Sequence, residues 1–133
     1  MINHEIEIRV RYGETDQMGF CYYGNYAQYL EVARVETLRN KGISYKELEE
    51  KGILLPVRNY SIKYILPAKY DDLLTIHTEI KKLEGSRIVF HYQIYKDEQL
   101  IATAETELIF VSSKTFKPIK MPHSFELLID NLS

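Results

Sequence analysis

Only one long stretch of this chain has helical periodicity, and most of the chain beyond it reads as strands joined by connections too short to cross over. NYAQYLEVARVETLRNKG, residues 25–42, places Tyr26, Tyr29, Leu30, Ala33 and Thr37 on one stripe at helical spacing. Val32 and Val35 fall on the other side, so the helix is expected to be buried nearly all round. Gly42 reads as its C-terminal stop, with Arg39 and Lys41 well placed in the last turn. A single buried helix demands a partner surface large enough to cover it.

The strand patterns supply that surface. EIEIRVRY, residues 5–12, alternates strictly, with Ile6, Ile8, Val10 and Tyr12 on one face and charges on the other. After a short helix capped by Ser44 and Glu47, residues 56–66 alternate with Tyr60, Ile62, Tyr64 and Leu66 on one side. Leu74, Ile76 and Ile80 lie opposite Thr75, His77 and Glu79, and Ile88, Phe90, Tyr92 and Ile94 alternate again. EGS at 84–86 and KDEQ at 96–99 are turns, and LIATAETELIFV, residues 100–111, is the last strand. Such short connections predict a mostly antiparallel meander. A further short helix is expected from Pro122 to Leu132. One sheet curling around one central helix satisfies both patterns, an α+β architecture built as a single domain over 1–133.

Composition removes several function classes. A net charge of −2 gives no footprint for nucleic acid. No stretch approaches the roughly 18 apolar residues of a membrane span. One cysteine excludes an internal disulfide framework, and with no apolar secretion segment at its start the chain reads as cytoplasmic. His4, His77, His91 and His123 lack metal-ligand spacing, so neither metal nor cofactor is expected. Eleven tyrosines, many in the strands, together with a leftover apolar sheet face, predict self-association into a dimer or tetramer.

The first connection carries the chemistry. ETDQMGFCYYGNY, residues 14–26, joins strand to helix with two acids, two glycines and three tyrosines. Gly19 permits a sharp turn, and the unpaired N–H groups of the helix start are aimed at the loop. A carboxylate there, Asp16, is placed to act as general base or nucleophile while those amides hold a developing oxyanion. Glu14 reads as a solvated turn residue, and Asp71 and Asp72 as turn residues. Cys21, without a neighbouring histidine, reads as a small buried hydrophobe. Glu31 and Arg34, one helical turn apart, are placed either for an ion pair or for a contribution to the site.

RYGETDQMGFCYYGNYAQYLEVARVETLR resembles the signature of the 4-hydroxybenzoyl-CoA thioesterase family of hotdog-fold acyl-CoA thioesterases. The shared frame is T-D-x-x-G, an aromatic pair, N-Y and a helix with E-x-x-R. IKYILPAKYDDLLTI (62–76) and GSRIVFHYQIY (85–95) support it. The resemblance implies the hotdog fold, an antiparallel sheet wrapped around one long central helix. It implies hydrolysis of acyl-CoA thioesters, with active sites between subunits of a homo-oligomer. Asp16 would be the catalytic carboxylate and the Tyr23 N–H would polarise the thioester carbonyl. Tyr22 and Tyr23 replace a Tyr-His pair common in relatives, while Gly19, Asn25 and Tyr26 fit the pattern around the substrate. Ser86 and Arg87, and more weakly Lys63, would meet the phosphates of CoA. Two other readings stay open: an acyl-ACP thioesterase, and a non-catalytic acyl-CoA binding module.

Overall fold

The computed structural model describes residues 2–129. The elements run β1 (Ile2–Arg9), a 3-10 turn (Tyr12–Glu14), α1 (Gly24–Asn40), α2 (Tyr45–Glu50), β2 (Ile53–Leu54) and β3 (Val57–Tyr64). They continue with β4 (Leu73–Glu84), β5 (Arg87–Lys96), β6 (Gln99–Ile109), β7 (Val111–Ser112) and α3 (His123–Ile129). Residues 130–132 of the expected last helix lie outside the described residues. The five long strands form one sheet in the order β1-β4-β5-β6-β3, and every neighbouring pair is antiparallel. β2 and β7 pair separately, which ends the expected strand 100–111 early. The arrangement is α+β, of the hotdog kind.

Alternation builds the core. Leu74, Ile76 and Ile80 of β4, and Ile88, Phe90, Tyr92 and Ile94 of β5, are buried on the face that α1 covers. Each such side chain contributes roughly 1.5–3 kcal/mol on burial, enough together to fix the register of the central pair. A slip of one residue there would turn every apolar side chain outward.

Four expectations need correction. The helix buries a stripe, Tyr26, Tyr29, Leu30, Ala33, Arg34, Thr37 and Leu38, but leaves Val32 47% exposed. It therefore lies against the sheet and is not enclosed by it. The outer sheet face is polar, not apolar: His77 meets Glu5 at 3.3 Å and His91 meets Glu105 at 3.4 Å. Tyr12 falls outside β1 and is exposed, packing edge-to-face on Tyr70. Finally, the strands are not a simple meander. β3 sits at the far edge beside β6, so residues 65–72 must cross the end of the sheet to reach β4.

Candidate active site

That crossing segment meets the first loop. The Cys21 N–H donates to the Ala68 carbonyl at 2.7 Å, and Phe20 bridges to Lys69. Together the two segments enclose a cavity of about 400 Å³ lined by Asp16, Phe20, Tyr23, Tyr26, Tyr64 and Leu66, among others. Its walls are mainly aromatic and aliphatic, and Asp16 is its one carboxylate.

The loop is more ordered than its composition suggests. Thr15 bridges to Cys21, the Asp16 N–H donates to the Phe20 carbonyl at 2.8 Å, and the Gly19 N–H returns to the Asp16 carbonyl at 3.0 Å. Gly19 adopts φ +85°, where a Cβ would be strained. The Asp16 carboxylate then closes the turn with one oxygen: Oδ1 accepts from the Met18 N–H at 2.9 Å and the Phe20 N–H at 3.1 Å. Among the described residues its Oδ2 has no hydrogen-bond partner, so one oxygen is held and the other is available to the cavity.

Helix α1 begins immediately beyond. Main-chain acceptors are found for the N–H groups of Tyr22, Asn25 and Tyr26, but among the described residues not for those of Tyr23 and Gly24. Such free amides at a helix start suit negative charge. The Tyr22 ring lies over Gly24, and a Cβ there would come within 2.9 Å of the ring edge, so a larger residue would displace that half-exposed ring. Tyr22 in turn packs on Tyr23, with ring centroids 4.7 Å apart.

Glu14 is the residue that sequence reasoning misplaced. Its side chain is only 12% exposed. Its carboxylate accepts from the Arg11 N–H (2.8 Å), the Arg11 guanidinium (3.0 Å) and the Tyr29 hydroxyl (2.8 Å). Its carbonyl accepts from the Tyr22 N–H and from Asn25 Nδ2, both at 2.8 Å. Burial alone would raise its pKa, but the Arg11 and Tyr29 donors outweigh it and the net direction is down. Glu14 thus ties the strand side of the loop to the helix side. Asn25 acts in that tie and does not line the cavity. The Cys21 thiol lies 3.5 Å from the Tyr29 hydroxyl and is buried, which pushes its pKa up and fits the reading as an inert small hydrophobe.

The expected CoA contacts lie elsewhere in the protomer. Ser86 and Arg87 follow the far end of β4, a path of roughly 36 Å along the strand from its Asp16 end at 3.3 Å per residue, and Arg87 Nη1 donates to Glu107 Oε2 at 3.1 Å. Lys63 points to the polar outer face, where it borders a depression with His77, His91 and Glu105. Glu31 and Arg34 form no ion pair: Glu31 is exposed and Arg34 is buried. Among the described residues no cluster of His, Cys, Asp and Glu could hold a metal, and no helix is long and apolar enough to cross a membrane.

The model of the thioesterase-like superfamily matches residues 10–127. The protein YneP of Bacillus subtilis is 38% identical over 120 residues, covering 90% of this chain and 87% of its own. The acyl-CoA thioester hydrolase YbgC of Escherichia coli is 35% identical over 118 residues, covering 88% of each chain. Among solved structures, a DHNA-CoA thioesterase from Staphylococcus aureus superposes with a TM-score of 0.91 at 37% identity, covering 98% of this chain and 88% of that one.

Proposed function

Because the chain belongs to the thioesterase-like superfamily, we propose that it hydrolyses acyl-CoA thioesters to free acid and CoA, with Asp16 as the catalytic carboxylate. The observation that carries this reading is the division of labour on Asp16, with Oδ1 locked by two loop amides and Oδ2 open to an apolar cavity beside unpaired helix-start amides. The thioester carbonyl sits with its oxygen toward the Tyr23 and Gly24 N–H groups. As general base, Asp16 takes a proton from water as the water oxygen bonds to the carbonyl carbon. The tetrahedral oxyanion is held by the amides. It collapses by breaking the carbon–sulfur bond, and the proton held on Asp16 passes to the departing thiolate. As nucleophile, Asp16 would instead attack the carbonyl carbon and expel CoA as its thiolate, which takes a proton from solvent, leaving an acyl anhydride that water cleaves to free acid and the Asp16 carboxylate.

Tyr23, Tyr26, Tyr64 and Leu66 wall the acyl group. Gly19 shapes the turn, and Tyr22 and Asn25 support the site from behind. The edge of β3 is paired only to β6, and Tyr60, Tyr64, Ile65 and Leu66 are exposed along and just beyond it. A dimer or tetramer joined there follows from the active-site reading, because Ser86 and Arg87 lie at the far end of β4 within one protomer and would reach CoA from another copy. Sedimentation at micromolar concentration tests the assembly: a monomer with full activity removes it.

Release of free thiol from a panel of aliphatic and aromatic acyl-CoAs tests the activity. Hydrolysis of at least one class is expected at a typical enzymatic turnover, on the order of 1–1,000 per second. Binding of acyl-CoA without thiol release would make the chain a binding module. For the choice between base and nucleophile, ¹⁸O recovered in the Asp16 carboxylate after a single turnover in ¹⁸O-water demonstrates the nucleophile. Label in the free acid alone is given by the general base and also by water attack on the acyl carbon of an anhydride, and trapping of an acyl-enzyme separates those two.

A further inference from the structure

Arg34 is the one guanidinium in the core, and it has nothing of its own to balance it. Its residue exposure is 7%, its Nε is buried without a hydrogen-bond partner, and no carboxylate lies within ion-pair distance among the described residues. The phenols beside it, Tyr45 and Tyr92, are neutral. Burial works against its charge, but the Tyr92 and Tyr45 phenols hold it protonated, and the Tyr45 hydroxyl is itself buried without a partner. A buried charge left unpaired is strongly unfavourable, and a working protein is expected to supply a counter-ion from somewhere. Glu31, one turn earlier, lines the same cavity but is exposed and makes no ion pair with it.

Arg34 lines a cavity of about 270 Å³ together with Gln28, Glu31, Val57, Tyr60 and Thr106. Its position is informative. The Asp16 cavity lies between α1 and β3 at Tyr26 and Tyr64, whose ring centroids are 5.2 Å apart. The Arg34 cavity lies between the same two elements, further along both. Eight helical residues separate Tyr26 from Arg34, about 12 Å at 1.5 Å per residue, and the four strand residues from Tyr64 to Tyr60 cover roughly 13 Å. The two depressions follow one another along the trough between α1 and β3, the second beginning at Ala27, next to Tyr26 of the first, and they share no lining residue. Burial pushes the Tyr60 phenol up to about 12, so it is a donor at neutral pH.

We propose that this trough is the acyl channel and that Arg34 receives a carboxylate at the far end of the acyl group, so that the substrates are acyl-CoAs carrying a second, terminal acid. The inference rests on the thioesterase reading above. A guanidinium suits a carboxylate through its planar fork, and the Tyr60 hydroxyl and Gln28 amide add neutral donors. A site built to pair with a charged group rejects the analogue lacking it far better than an apolar slot rejects one methylene.

The test uses the full chain and matched series of acyl-CoAs ending in carboxylate, methyl ester or methyl, with kcat/KM read by thiol release. At the length that spans about 12 Å, the carboxylate is expected to exceed its methyl ester at least 10-fold. Arg34→Gln should abolish that preference and Arg34→Lys should keep part of it. Should Arg34→Gln fail to fold, Tyr60→Phe replaces it, with a several-fold smaller preference expected. Equal rates on ester and acid in the wild type overturn the proposal, and an acid from a second copy filling the cavity would give that same result. A preference that survives in Arg34→Gln also overturns it. A free dicarboxylate that changes turnover of a short acyl-CoA without competing with it would assign Arg34 to an effector and not to the acyl channel. Absence of hydrolysis across every series removes the thioesterase reading itself, whereas hydrolysis without preference removes only the channel.

Discussion

Glu14 and Asp16 are two residues apart on the same loop, yet one is saturated with partners and the other is half free. Glu14 takes donors from Arg11 and Tyr29 on its carboxylate and two more on its carbonyl. Asp16 spends one oxygen on its own turn and keeps the second for the cavity. A carboxylate whose lone pairs are all used holds structure together. One with an oxygen to spare can accept a proton or attack a carbon. The contrast separates the two roles more sharply than residue type does, since both are acids in the same irregular stretch.

The largest effect expected is from Asp16→Asn. Asparagine keeps an acceptor for the Met18 and Phe20 N–H groups, so the loop should persist while kcat falls at least about 100-fold. Denaturation midpoint and turnover measured on the same sample check it: wild-type turnover in a folded variant would move the chemistry elsewhere. Glu14→Gln should show the reverse pattern. The fold loses about 1.5–3 kcal/mol with the charged hydrogen bonds, while turnover per folded molecule drops far less than in Asp16→Asn. If Glu14→Gln abolishes turnover with stability intact, the two roles are exchanged.

Acid titration sharpens the same contrast. The folded pKa of Glu14 lies below its ordinary value of 4.5. Its stabilisation is therefore complete above that ordinary value and fades as pH falls through the depressed folded one. Urea unfolding followed from pH 7 downward should show this loss in the wild type and a flatter profile in Glu14→Gln; parallel profiles would deny the tie. The smallest effect belongs to Tyr29→Phe, which removes one donor to Glu14 at a cost of about 0.5–1.5 kcal/mol, read as a shift in the denaturation midpoint. A shift as large as that of Glu14→Gln would mean the hydroxyl, not the acid, anchors the loop.

Much of the fold is legible in the order of the residues alone. Period-two alternation identifies the strands at Leu74–Ile80 and Ile88–Ile94 and their inner faces, because a sheet buried on one side admits only that pattern. Asp16 stands out because a glycine turn and a helix start flank it. Glu14 does not, because what buries it is Tyr29, fifteen residues away and on the next element. Its half of a reciprocal bond with Arg11, three residues earlier, is the available local signal. The place of β3 in the sheet is equally hidden: alternation tells which side a residue faces, not which strand lies beside it. The distance of Ser86 and Arg87 from Asp16 is hidden for the same reason. Arg34 carries the most general lesson, for at helical spacing it belongs to the buried stripe, and only its charge says it should not.

The cavity wall is divided between two stretches of chain that meet through few bonds, chiefly Cys21 to Ala68 and Phe20 to Lys69. Residues 14–24 hold the acid and the amides, whereas Ile65, Leu66 and Pro67 of the crossing segment only shape the space beside them. Substitutions at Ile65, Leu66 or Pro67 can therefore widen or narrow the space without touching the hydrogen bonds that hold Asp16 and the helix start. The shape of what is admitted and the placing of the acid are set by separate pieces of chain.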